Sequence, residues 1–147
     1  METNAMDLNE LLSKCSDTIL TESLELMSRA NLKHYEYGGA EQTRKKISKL
    51  LELTHQSVEE KNLIPMINYI EKMAKQRFLS GFELQEVQTA FNVLEECIWK
   101  QILRAIPPSG QGDALALISS VLGSGKDTLA RTYVSLASEK PAEMLEN

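Results

Sequence analysis

Residues 84–106 read Leu84-Gln85-Glu86-Val87-Gln88-Thr89-Ala90-Phe91-Asn92-Val93-Leu94-Glu95-Glu96-Cys97-Ile98-Trp99-Lys100-Gln101-Ile102-Leu103-Arg104-Ala105-Ile106. Leu84, Val87, Phe91, Leu94 and Ile98 alternate steps of three and four, which a helix collects on one side and a strand would scatter over both. Ala90 and Cys97 widen that seam, while Trp99, Leu103 and Ile106 turn towards a different face. The start is marked too. Phe82 and Val87 have the spacing of a hydrophobic staple around a cap at Glu83, with Glu86 in the capping-box position. Pro107-Pro108 and the following Ser109-Gly110-Gln111-Gly112 call for a break.

Working outward, the same period recurs everywhere. Leu8, Leu11, Leu12, Cys15, Ile19, Leu26 and Met27 predict one long helix through about Ala30, reaching towards Tyr37. Gly38-Gly39 ends it, since glycine takes a positive φ without steric cost. Ile47, Leu50, Leu51, Thr54 and Val58 stripe a second helix from about Glu41 to Lys61. Asn62 caps a third, with Pro65 in its first turn, carrying Leu63, Ile67, Ile70, Met73, Ala74 and Phe78 and stopping at Gly81. Beyond the double proline two shorter helices are expected. Asp113 caps one with Leu115, Ile118 and Leu122 inward; Ser124 and Asp127 form a capping signal for another with Leu129, Tyr133 and Leu136 inward. Lys140-Pro141 closes it and Ala142 to Asn147 reads as a frayed tail. The expectation is an all-α chain, one domain over residues 1–147 with its core at about 8–140 and a flexible N-terminus. Five or six helices are expected in a globin-like or bundle-like arrangement.

The chain of 147 residues carries 16 Lys+Arg against 21 Asp+Glu, a formal charge of −5. A chain of roughly 150 residues buries about 70% of its unfolded surface, enough for one core. The 42% hydrophobic content excludes bulk disorder. The acidic balance disfavours nucleic-acid or anionic-membrane binding, which need clustered positive charge. Cys15 and Cys97 form no CxxC pair, so they read as reduced, buried thiols. Met1 to Glu10 lacks a basic segment, and the apolar run Ala114 to Leu122 is far shorter than the ~20 residues of a membrane span. A cytoplasmic protein is expected.

Several motifs invite chemistry and fall short of it. Gly123-Ser124-Gly125-Lys126-Asp127-Thr128 suggests a phosphate loop, but Ser120 stands where the first glycine belongs, Asp127 follows the lysine, and a helix precedes it. Glu52 and His55 make one E-x-x-H, half of a di-iron signature. The other histidine, His34, has Asn31 three residues before it, so the second half is missing. No haem ligation signature accompanies either histidine. No nucleophile motif occurs. Glu59-Glu60, Glu95-Glu96 and the ridge Arg44-Lys45-Lys46 with Lys49 read as solvated faces. No catalytic, metal or cofactor residue is therefore assigned, and no cofactor is expected.

The apolar surplus is more telling. Leu20 and Leu24 fall off the first stripe, and Trp99 and Leu103 off the fourth. A helix apolar on more than one side is central in its own bundle or shared with a partner. These four residues are the candidate interface of a homodimer.

The segment Arg77-Phe78-Leu79-Ser80-Gly81-Phe82-Glu83-Leu84-Gln85-Glu86-Val87, followed by Ala90-Phe91, resembles the N-terminal sensory domain of RsbR/RsbRD-type RsbT co-antagonist proteins, whose pattern is approximately R-F-x-x-G-[FY]-x-L-x-E-V. With the order of long helices and the late Tyr133 helix, the resemblance spans about Leu8 to Lys140. It implies a haem-free, globin-like or bundle-like bacterial sensor domain, often dimeric, that feeds stress-response signalling. Those proteins continue into a STAS domain with phosphorylated threonines, whereas this sequence ends at Asn147, so that switch is not expected here. The resulting expectation is a non-enzymatic signalling domain acting through contact with an unidentified protein partner, with a small ligand as one candidate input. The rivals are a helical cofactor or metal enzyme, with Glu52 and His55 its only foothold, and a static structural adaptor.

Overall fold

The computed structural model describes residues 6–146, with side chains to Glu139. Residues 1–5, which fall in the expected flexible N-terminus, and the last residue lie outside that range. Among the described residues six helices run in chain order: α1 Leu8–Lys14, α2 Ser16–Arg29, α3 Lys33–Glu60, α4 Ile64–Leu79, α5 Leu84–Ala105 and α6 Pro108–Glu146. No strand occurs among the described residues, and the fold is all-α as the periodicity requires. No described helix is long and apolar enough to cross a membrane.

Helix α5 is the centre. Phe91, Leu94, Cys97, Ile98 and Ile102 are fully buried, with α2 on one side and α6 on another. Its start follows the expected chemistry: the Glu83 N–H donates to Glu86 Oε2 at 2.8 Å, and Phe82 and Val87 are both buried around the turn. Helix α4 begins one residue later than Asn62 would cap it: Leu63 is the N-cap, and Asn62 Oδ1 accepts from the Ile64 N–H at 3.1 Å. It ends in a Schellman turn at Gly81, φ 88°, where Phe82 N–H reaches Arg77 O and Gly81 N–H reaches Phe78 O.

The first long helix is corrected. It is broken at Cys15 (φ −103°, ψ 10°) into α1 and α2, while its end at about Ala30 is as expected, because Asn31 takes a left-handed φ of 53° and Leu32 is extended. Asparagine tolerates that conformation better than most side chains. Gly39 then breaks the backbone as expected (φ 85°, ψ 164°), kinking α3 between a short N-terminal piece and the long helix that follows. The Thr43 hydroxyl lies 3.3 Å from the Tyr35 carbonyl across the kink and 3.2 Å from the Gly39 carbonyl.

The C-terminal third is corrected more deeply. In place of two short helices, α6 runs unbroken through Gly110, Gly112, Gly123, Gly125 and the expected stop at Lys140-Pro141, and on as helix to Glu146. The glycines at its middle are not all turn formers. A Cβ on Gly125 would lie 2.7 Å from Phe91 Cε1 and 3.4 Å from Met66 Sδ, so the missing side chain lets α6 seat closely on α5 and α4. Ser124 does not cap a new helix; its hydroxyl donates back to the Val121 carbonyl at 2.8 Å. Ile118, Leu122, Leu129 and Tyr133 face the core as the stripes foretold.

Candidate functional site: the α4–α5 corner and the outer face of α5

The Gly81 turn brings together groups that are far apart in sequence. At Gly81 itself a Cβ would come within 3.3 Å of His34 Nε2, so the N-terminal piece of α3 is seated directly on the turn. His34 is tied there by Glu86. Its backbone N–H donates to Glu86 Oε1 at 2.9 Å and its ring Nδ1 lies 2.7 Å from Oε2. Burial pushes the Glu86 carboxyl up, but hydrogen bonds from the His34 and Glu83 backbone and the His34 ring outweigh it and hold the group below its ordinary value. A carboxylate only accepts, so Nδ1 carries the proton in that contact. Tyr133, from α6, donates its hydroxyl to the Phe82 carbonyl at 2.8 Å, and burial pushes its phenol up to about 12.

Inside the corner lies an aromatic and basic cluster. Phe82 packs edge-on against Tyr35 with centroids 5.0 Å apart and tilted against His34 at 5.2 Å. Lys46 Nζ sits 4.6 Å from the Phe82 centroid, and the Arg77 guanidinium carbon 5.6 Å from it. Arg77 is buried. Lys46 thus leaves the solvated ridge expected for it and turns inward, while Arg44 and Lys45 stay exposed. Only the Arg77–Val87 motif pointed to this corner; nothing in the local sequence placed Tyr35 and Lys46 beside it.

Between α2 and the kink of α3 runs a cleft of about 310 Å³, lined by Leu24, Met27, Tyr35, Gly39 and Thr43, mostly apolar. The four interface candidates divide here. Leu20 is a core residue, 7% exposed, which corrects the expectation of an outer position. The break at Cys15 re-phases α2, so that Ile19, Leu20, Ser23 and Met27 form its inner stripe. Leu24 is half-buried on the wall of the cleft. Trp99 and Leu103 alone stay outside, 41% and 57% exposed and one turn apart on α5.

The remaining motifs take ordinary places. Glu52 is exposed and pairs with Lys49 at 3.5 Å, and no group of three metal-ligating side chains gathers among the described residues. Lys126 of the glycine phrase pairs with Glu95 at 3.3 Å from within α6. Glu95, expected in solvent, is half-buried there and also takes a hydrogen bond from Ser119. Cys15 and Cys97 are free thiols, and burial pushes that of Cys97 up. No family model, no curated protein and no solved structure matches the chain.

Proposed function

We propose that this chain is a non-catalytic regulatory domain of the bacterial sensor type, working in the cytoplasm through protein–protein contact and self-associating across the outer face of α5. The observation that carries the reading is the position of Trp99 and Leu103. They are exposed on the helix whose opposite side, Leu94, Ile98 and Ile102, forms the centre of the core. A large aromatic on such a face is a typical interface anchor. The face is also suited to a two-fold contact: Glu96 and Lys100, 3.3 Å apart, flank the apolar pair, so that an antiparallel copy sets each charge against its opposite. Because α5 packs on both α2 and α6, a shift in their packing moves the contact face. A small apolar molecule in the cleft beside Leu24 and the Gly39 kink is the input this geometry favours, since it would prefer one packing of α2 on α3.

The test is light scattering of the wild type and of Trp99→Ala, with thermal melts beside it. A dimeric wild type is expected, with Trp99→Ala weakening it by about 2 kcal/mol or more, roughly thirtyfold in dissociation constant. A wild type that stays monomeric at high micromolar concentration ends the proposal. A variant that loses stability while keeping its oligomeric state assigns Trp99 to the core instead.

A further inference from the structure

Arg77 and Lys46 present an unsolved charge balance. Among the described residues neither has a carboxylate within ion-pair distance, although Arg77 is only 9% exposed. The nearby carboxylate, Glu86, is already engaged by the backbone of His34 and Glu83 and by the His34 ring. The Arg77 Nε–H is buried and has no hydrogen-bond partner among the described residues. Leaving a donor of a buried cation unpaired is costly, and proteins rarely keep such a group without a partner.

The two cations line one small, partly open cavity of about 20 Å³, walled by Tyr35, Lys46, Tyr69 and Arg77 with Leu50 and Phe91 behind them. That volume holds one water-sized particle. It is far too small for a phosphate or for the carboxylate end of a metabolite. We propose that this cavity is a binding site for a single small monoanion, chloride, held between the Arg77 guanidinium and the Lys46 ammonium. Water in the same place would satisfy the Nε–H but bring no negative charge to the two cations. Burial, and then the Arg77 charge, press Lys46 below its ordinary amine value, which puts the two cations close enough to repel. Bound chloride would join α3, which carries Tyr35 and Lys46, to α4, which carries Tyr69 and Arg77.

The proposal is independent of self-association and is tested without reference to it. The chlorine-35 resonance of sodium chloride is followed with the wild type, Lys46→Met and Arg77→Met, alongside melts in sodium chloride and in sodium gluconate at equal ionic strength. Gluconate cannot enter the cavity. Expected are saturable line broadening by the wild type and a melting temperature that is higher in chloride and saturates with concentration. Lys46→Met, at a half-exposed position, should bind chloride about tenfold more weakly, as for loss of one charge-assisted contact. Arg77→Met should lose the broadening altogether, and should it fail to fold, the Lys46 variant decides. Equal melting in the two salts with no saturable broadening means that water occupies the cavity and overturns the proposal. Broadening by Lys46→Met equal to that of the wild type places chloride elsewhere and overturns it as well.

Discussion

Replacing Gly125 and Gly123 by alanine, one at a time, separates two accounts of the C-terminal third of the chain. Both glycines lie in α6, two residues apart, and both gain the ordinary helix preference of alanine, about 1 kcal/mol. They differ in what the new methyl meets. At Gly123 there is nothing within 4 Å. At Gly125 the methyl would stand 2.7 Å from Phe91 Cε1 and 3.2 Å from Cζ, with Met66 Sδ at 3.4 Å. Phe91 and Met66 are both fully buried, so neither can swing aside without displacing the core. Overpacking of this kind costs roughly 1–3 kcal/mol, and a contact this short belongs in the upper part of that range. Gly125→Ala should therefore destabilise by about 1–2 kcal/mol net, while Gly123→Ala stabilises by about 0.5–1 kcal/mol. For a domain of this length each kcal/mol moves the melting temperature by about 3 °C, so the two variants should differ by about 5–9 °C. Urea denaturation followed by circular dichroism gives the same comparison as free energies. If Gly123→Ala destabilises, as alanine would in a turn between two helices, or if both variants stabilise alike, the unbroken helix seated on Phe91 is wrong. Ser124→Ala serves as a further arm: a lost N-cap would cost about 1 kcal/mol, whereas the back-bonded serine seen here should be nearly neutral.

Glu86→Gln should cost about 1–3 kcal/mol at neutral pH, through loss of the charge in its three hydrogen bonds. Because the folded carboxyl lies below its unfolded value of 4.5, its contribution is present above that pH and is lost as the pH falls through the folded value; denaturation midpoints of wild type and variant should converge on acidification. Tyr133→Phe should cost about 1 kcal/mol by leaving the Phe82 carbonyl unpaired. The wild-type phenol, raised from 10.0 to about 12, stabilises below the lower value and stops doing so as pH rises through the upper one, which alkaline melts of the pair should reveal. Leu20→Ala should lose about 2–5 kcal/mol without altering the oligomeric state measured by light scattering, because the side chain belongs to the core.

The sequence alone determined that the chain is helical, about where α4 and α5 begin and where α4 ends, and most of the residues that face inward. Those features are local: a 3.6-residue period, the Asn62 side chain at the start of α4, the staple around Glu83 and the left-handed glycines at 39 and 81 act within one or two turns. Of the four apolar residues it set apart, Leu20, Leu24, Trp99 and Leu103, the last two are the ones that stay exposed. Only the tertiary structure decided the rest. Gly123 and Gly125 read as a turn, yet the helix runs through them, because close packing against Phe91 favours a missing side chain just as a turn does. Leu20 read as an outer residue until the bend at Cys15 turned its helix inward. The cluster of His34, Tyr35, Lys46, Arg77, Phe82 and Glu86 draws on three helices and the turn between two of them, and no period or spacing joins residues 34 and 86. Such long-range meetings depend on how the helices cross, and crossing is set by the summed fit of whole surfaces rather than by any short stretch of chain.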